Sequence, residues 1–275
     1  MADEKNNLQV ADVSTKAANT WCPGCGNFGI EIAMKMALVD LVNDGLVKKE
    51  NLALVTGIGC HGKIADYLNI NSFYSLHGRA FAPATGIKIA NPALTVLAMA
   101  GDGDAYGEGL DHLIFAAKRN INLTALIHDN RVYALTTGQV SPTSPQKFRG
   151  KSTPDGSLDK PINPLELMLI SGATFVARAF AGDAEFLKRI IKEAINHRGF
   201  SFIEVLQPCF TFFNTFEYYR ENTYHLEDGR PLGDKEAALA RAREWDYSDQ
   251  TPAKIPLGIF YQKDEPTFDD LIHNS

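Results

Sequence analysis

Leu94-Thr95-Val96-Leu97-Ala98-Met99-Ala100-Gly101-Asp102-Gly103-Asp104-Ala105 decides the reading of the fold. Leu94–Ala100 reads as a strand buried on both faces, the kind found inside a parallel sheet. The glycine–aspartate turn that follows opens a helix marked by Leu110, Leu113, Ile114 and Ala117. Leu123–His128 reads as the next strand, ended by Asp129-Asn130. Toward the N-terminus, Ser72–Leu76 runs into His77-Gly78-Arg79, and Leu52–Thr56 into Gly57-Ile58-Gly59-Cys60. Before these, Ile30, Met34, Ala37, Leu38 and Leu41 recur at helical spacing until Asn43-Asp44-Gly45 stops them. Toward the C-terminus, Ala173–Arg178 reads as a strand. Asp183 then caps a helix with Leu187, Ile190, Ile191, Ala194 and Ile195 inside, closed by Gly199. Ser201–Leu206 reads as the last clear strand and runs into Gln207-Pro208-Cys209.

Apolar strands alternating with amphipathic helices specify an α/β fold with a doubly wound, mostly parallel sheet. No linker divides the chain, so residues 1–275 read as one domain. A polar, loose arm (1–20) precedes it, and a C-terminal extension without clean period follows from about residue 210. A loop rich in Pro, Ser, Thr and Gly, from about Thr136 to Pro164, is too long to be a mere connector.

The 275 residues carry 27 lysines and arginines against 33 acids, a net charge of −6. With 45% hydrophobic and 22% charged residues, the composition is that of a globular chain and argues against disorder. The acidic balance gives no support for a nucleic-acid partner. Met1–Asn7 lacks the apolar core of a signal peptide, and no run of about 18 apolar residues suggests a membrane span. The expectation is a soluble, cytoplasmic protein.

Ligands of open α/β sheets bind beyond the carboxyl ends of the strands. Cys60, His77, Asp102, Asn130 and Cys209 each stand within a few residues of such an end, so parallel strands would bring them to one rim. The glycines of Gly101-Asp102-Gly103 allow backbone to approach a phosphate, and a helix N-terminus favours negative charge. Asp102 and Asp104 would repel that phosphate unless a divalent cation bridged them, and Asn130 can offer the same ion a neutral oxygen. A solvated acidic turn is the plainer alternative. The spacing G-x-G-x-x-x-G does not fit the dinucleotide fingerprint.

A chain of this length needs no disulfide staples, so its four cysteines read as free thiols or ligands. Cys22-Pro23-Gly24-Cys25 has the spacing of two thiolates on one metal centre or of a redox disulfide. Cys60 and Cys209, taken alone, read as small buried hydrophobes.

Gly101-Asp102-Gly103 followed at Asn130 by asparagine, one β-α-β unit later, resembles the thiamine diphosphate motif. Further segments join it: Trp21-Cys22-Pro23-Gly24-Cys25-Gly26, Gly57-Ile58-Gly59-Cys60, His77-Gly78-Arg79, Ala84-Thr85-Gly86-Ile87-Lys88 and Leu135-Thr136-Thr137-Gly138-Gln139. As a set they closely resemble the β subunit of 2-oxoacid:ferredoxin oxidoreductases, from about Trp21 to Cys209. The resemblance implies a thiamine diphosphate-binding domain of the diphosphate type. It implies oxidative decarboxylation of a 2-oxoacid to acyl-CoA and CO2, with electrons passing through a 4Fe–4S cluster to ferredoxin. Asp102, Asn130 and the Val132 carbonyl would hold Mg2+. Cys22, Cys25, Cys60 and Cys209 would ligate the cluster, although four thiolates suit a structural zinc as well.

The implied cofactor envelope is Ile58, Gly59, Cys60, His61, His77, Gly101, Asp102, Gly103, Asp104, Ala105, Asn130, Val132, Tyr133, Leu135 and Thr136. His77 and Arg79 are the candidate catalytic residues, and the Thr136–Ser144 loop would face the oxoacid. The chain departs from the usual pattern at His61, where serine is expected, and at Thr137, where some relatives carry lysine. The aminopyrimidine half of the cofactor site is missing, so an α subunit would complete it, with coenzyme A and ferredoxin as further partners. A non-redox thiamine diphosphate enzyme and a zinc-stabilised binding module are the competing readings.

Overall fold

A computed structural model describes residues 7–249 and 251–273. In chain order, α1 is Asn27–Asn43, β1 Leu52–Thr56, α2 Ile64–Tyr67, β2 Asn71–Tyr74, α3 Phe81–Ala90 and β3 Thr95–Gly101. A π-helical turn over Gly103–Glu108 leads into α4 (Leu110–Lys118), then β4 (Leu123–Asp129). A two-residue ribbon, β5 (Val132–Tyr133) and β6 (Gln139–Val140), starts the long loop. α5 (Pro164–Ser171), β7 (Phe175–Phe180), α6 (Ala184–Asn196) and β8 (Phe200–Leu206) follow. The tail adds α7 (Phe216–Asn222), β9 (Thr223–His225), α8 (Lys235–Ala242), β10 (Ile255–Gln262) and α9 (Phe268–His273).

One eight-stranded sheet has the order β2-β1-β3-β4-β8-β7-β10-β9. Its neighbours are parallel except at β7, where β10 runs antiparallel. Successive residues of a strand face opposite sides, and the two sides are both covered. Leu54, Leu97 and Met99 pack with Ile30, Met34 and Leu38 of α1 and Leu187 and Ile190 of α6. Val55, Val96 and Ala98 pack with Phe81 of α3, Leu113 of α4, Met168 of α5 and Leu239 of α8. The doubly wound reading therefore holds. Asp183 caps α6 as expected, accepting the Phe186 N–H at 3.1 Å.

Two expectations change, and one helix was not foreseen. Residues 7–20 are not loose: Val13 is fully buried, and the Val13 carbonyl accepts the Asn69 N–H at 2.9 Å. The rest of that arm, residues 1–6, lies outside the described residues. The extension beyond residue 210 is not a mere appendage, because β10 and β9 complete the main sheet. Finally, α3 was not legible as a helix, since Pro83 and Gly86 interrupt its pattern; Pro83 sits in the first turn, where its missing N–H costs nothing.

Candidate functional site

Parallel register carries the strand ends to one rim. Thr56 pairs with Met99, Gly101 with His128, and Asp129 with Leu206, so the turns after β1, β3, β4 and β8 lie side by side. β2 adds His77 from the sheet edge. Two cavities open on this rim.

The first, about 80 Å³, is lined by Ile58, Gly59, Cys60, His61, His77, Gly101, Asp102, Gly103, Asp104, Asn130, Val132, Tyr133, Ala134, Leu135 and Thr136. It gathers every residue assigned to the cofactor envelope except Ala105, whose side chain is 1% exposed and packs into the core. Arg79 is also off this wall: its guanidinium donates to the Gly78 and Glu108 carbonyls at 3.2 and 3.1 Å. Glycines bring backbone to the cavity. A Cβ at Gly103 would stand 2.4 Å from the Tyr133 ring, and one at Gly101 2.8 Å from His61 Nδ1.

Asp104 is buried and held from three sides. Its Oδ1 accepts the Gly78 N–H at 2.6 Å, and His61 Nε2 stands 3.1 Å from its Oδ2. His77 Nδ1 lies 3.7 Å from Asp104 Oδ1 and 3.1 Å from Glu108 Oε2, leaving the ring stacked beside Tyr133 at the cavity mouth. Two carboxylates thus orient one half-exposed imidazole.

Asp102 lies deeper. Burial pushes its carboxyl up to about 6, while the Ser141 and Thr143 hydroxyls pull it down. Thr143 Oγ1 lies 3.0 Å from Asp102 Oδ2 and 2.7 Å from Asp129 Oδ1. A hydroxyl has one proton, so both contacts close only when one carboxyl is protonated. Burial first, then the Asp102 and Glu204 charges, push Asp129 well above the carboxylate range. Asn130 folds its side chain back to accept the Val132 N–H at 3.0 Å. Its amide oxygen keeps a second lone pair, and Asp102 and Val132 line the same cavity, so a carboxylate, an amide oxygen and a carbonyl would be available to Mg2+, which prefers oxygen donors. Sequence reasoning missed Asp129 and Thr143; the signal available was only that Asp129 shares the strand end with Asn130.

The second cavity, about 240 Å³, is lined by Cys22, Cys25, Cys60 and Cys209, with Thr20, Trp21, Lys63, Asn130, Ala134, Leu135, Thr137, Gln207, Phe210, Thr211 and Phe212. All four cysteines are free thiols. Trp21 anchors one side by donating its indole N–H to the Cys60 carbonyl at 2.6 Å. Phe210 packs over Gly24 and Phe212 over Gly138, so these two rings close part of the sulfur-lined cavity. Burial pushes the Cys25 thiol up to about 11, the Asn27 N–H pulls against it, and the other three thiols add repulsion. Burial raises Cys60 as well, opposed by Lys63. Thiols that sense one another across a shared space need cations to become thiolates together.

Among the described residues, no three His, Cys, Asp or Glu side chains close to the spacing of a single metal ion. Thiols ringed around a space suit an inorganic cluster, where each binds a different iron, better than one tetrahedral zinc. Cys60, Asn130, Ala134 and Leu135 belong to both cavities, so one wall separates the oxygen-lined site from the sulfur-lined one. A wider groove of about 680 Å³ lies elsewhere, between the long loop and residues 243–249, lined among others by the ion pair of half-buried Glu166 with exposed Arg243.

Residues 57–205 match the family model of the thiamine pyrophosphate enzyme C-terminal TPP-binding domain. Residues 208–275 match the model of the C-terminal part of the pyruvate ferredoxin oxidoreductase β chain, so the likeness runs on past Cys209. The chain is 43% identical over 265 residues to 2-oxoacid:ferredoxin oxidoreductase 1, subunit beta, of Aeropyrum pernix, covering 92% of this chain and 80% of that one. It is 42% identical over 259 residues to the 2-oxoglutarate synthase subunit KorB of Methanothermobacter marburgensis, with 92% and 86% covered. A solved 2-oxoglutarate:ferredoxin oxidoreductase from Magnetococcus marinus, with 2-oxoglutarate, coenzyme A and succinyl-CoA bound, superposes with a TM-score of 0.92. That chain is 35% identical, with 99% of this chain and 91% of that one covered.

Proposed function

The chain belongs to the β-subunit family of the 2-oxoacid:ferredoxin oxidoreductases, and from that premise we propose how its two cavities work together. It is a subunit of an oxidoreductase that converts a 2-oxoacid, coenzyme A and oxidised ferredoxin to acyl-CoA, CO2 and reduced ferredoxin. The oxygen-lined cavity takes the diphosphate end of thiamine diphosphate through Mg2+ held by Asp102, Asn130 and the Val132 carbonyl. The sulfur-lined cavity takes a 4Fe–4S cluster on Cys22, Cys25, Cys60 and Cys209. The observation that carries this reading is the common wall of Cys60, Asn130, Ala134 and Leu135.

Bound thiamine diphosphate supplies a stabilised carbanion for attack on a 2-oxo carbon, and the protein supplies position and electrostatics. Asp102 is fixed by Thr143 and, through it, by Asp129, so the metal-binding oxygen does not wander. His77, steered by Asp104 and Glu108, holds or yields a proton at Nδ1 beside the cavity. Ile58 and Leu135, both half exposed, cover the rim and limit the access of water. The adjacency of sulfur and oxygen sites would give electrons a short way out, which a non-redox thiamine diphosphate enzyme would not need. The 1–275 chain acts as one thiamine diphosphate-binding domain. An α subunit supplies the aminopyrimidine half, and ferredoxin docks to collect electrons. Cysteines kept reduced as cluster ligands suit the reducing cytoplasm; among the described residues, no helix is long and apolar enough to cross a membrane.

Co-expression with the α subunit tests the reading. The purified complex should carry about four irons per β chain with a broad visible band. It should reduce methyl viologen only when a 2-oxoacid and coenzyme A are both present. A colourless, iron-free complex that still decarboxylates oxoacids would refute it.

A further inference from the structure

Gln207 is neither a metal ligand nor a base, yet it is 1% exposed and sits between β8 and the ligand Cys209. Its backbone N–H extends the sheet by one bond, to the Asp129 carbonyl at 2.9 Å. Pro208 has no N–H and ends the ladder there. The Gln207 side chain therefore leaves the rim at a fixed place and points toward the N-terminal cysteine pair. Its Nε2 donates to Cys25 Sγ at 3.5 Å and to the Pro208 carbonyl at 3.0 Å. Two amide hydrogens meet two acceptors. Turning the amide over would set its oxygen against the Pro208 carbonyl, so the donor end faces the sulfur.

The Cys-Pro-Gly-Cys-Gly motif is built to admit this contact. A Cβ at Gly26 would stand 2.9 Å from Gln207 Cγ and 3.0 Å from Pro208 Cδ. Glycine lets the chain after Cys25 lie flat on Gln207, and the Gly26 N–H joins the same Pro208 carbonyl at 3.2 Å.

We propose that Gln207 is a positioning residue that raises the reduction potential of the cluster by directing its amide N–H at Cys25 Sγ. This rests on the cluster reading of the four cysteines. Taking up one electron adds a negative charge that spreads onto the sulfurs, and an N–H dipole aimed at a ligand sulfur stabilises that reduced state. Without the donor, the cluster becomes harder to reduce.

The test uses the co-expressed αβ complex, titrated with redox mediators and followed by EPR of the reduced cluster. Gln207→Leu should keep wild-type iron content and shift the potential to a more negative value. Gln207→Glu, which replaces the donor by an anionic oxygen, should shift it further in the same direction. Full iron content with an unshifted potential in both variants would overturn the proposal. Should the variants lose iron, the unmutated complex decides: 15N labelling of glutamine amides should give one nitrogen coupled to the reduced cluster by ENDOR, and no coupling would overturn it. An iron-free wild-type complex would instead refute the cluster reading itself.

Discussion

Replacing Gly57 by alanine would set a methyl carbon 1.8 Å from Asp104 Oδ2 and 2.5 Å from its Cγ. Ordinary carbon contacts need about 3.5 Å, so the carboxylate must retreat by roughly 1.5 Å. Asp104, 2% exposed, has no free direction. The Gly78 N–H binds its Oδ1 at 2.6 Å, and His61 Nε2 stands 3.1 Å from Oδ2. Retreat breaks the Gly78 hydrogen bond and parts the carboxylate from His61. Overpacking a buried site costs about 1–3 kcal/mol, and stranding a buried donor with its charged acceptor adds about 1–3 kcal/mol. Each kcal/mol lowers the melting midpoint of a domain this size by about 2–4 °C, so the fall should be on the order of 10 °C. His77 also loses one of its two orienting carboxylates, so thiamine diphosphate–Mg2+ affinity should weaken with stability. The assay is thermal melting with calorimetric titration of the cofactor. Gly86→Ala is the control: nothing stands within 4 Å of its added Cβ, and it lies in α3, where alanine should stabilise by up to about 1 kcal/mol. A Gly57→Ala variant that melts with the wild type and binds cofactor normally would refute the close seating of Asp104 beneath that glycine.

Cys209→Ser should lose or degrade the cluster while thiamine diphosphate still binds; wild-type iron content in that variant would remove Cys209 from the ligands. Asp102→Asn should abolish Mg2+-dependent cofactor binding with little loss of fold, as read by titration and circular dichroism. The same residue sets a pH dependence. Its carboxyl, ordinarily near 3.8, is pushed up to about 6 by burial, so the native state holds the proton more tightly than the unfolded chain. Metal-free protein should therefore lose stability relative to Asp102→Asn as pH rises between about 4 and 7, and Mg2+ should restore it. A pH-independent difference between the two melts would contradict this. Arg178 and Glu204, both fully buried, pair at 2.6 Å. Arg178→Met should cost about 3–5 kcal/mol in denaturant unfolding, whereas Arg178→Met with Glu204→Leu should recover most of it.

The strands that build the rim were legible because their signal is local. β1, β3, β4 and β8 are short apolar runs ended by glycine, acid or proline, and each was read within a residue or so of its bounds. β10 was not legible, since Pro256 and Gly258 break its alternation and its partner β7 lies about eighty residues earlier in the chain. The short α7 and α8 bury small faces that give no clean period.

The site divides in the same way. Residue type at a strand's end was enough to gather Cys60, His77, Asp102, Asn130 and Cys209, because parallel strands must deliver their ends to one side. The partners that tune those residues could not be read off the chain. Thr143 becomes a clamp only when the long loop folds back against Asp102 and Asp129, held by Arg131 Nε on the Thr143 carbonyl at 2.8 Å. Gln207 is an ordinary polar residue until Gly26 lets Cys25 settle against it. Local sequence thus determined which atoms could bind oxygen-seeking and sulfur-seeking metals. Only tertiary packing placed those two chemistries on either side of one wall, because distance across a fold depends on the register of strands that are far apart along the chain.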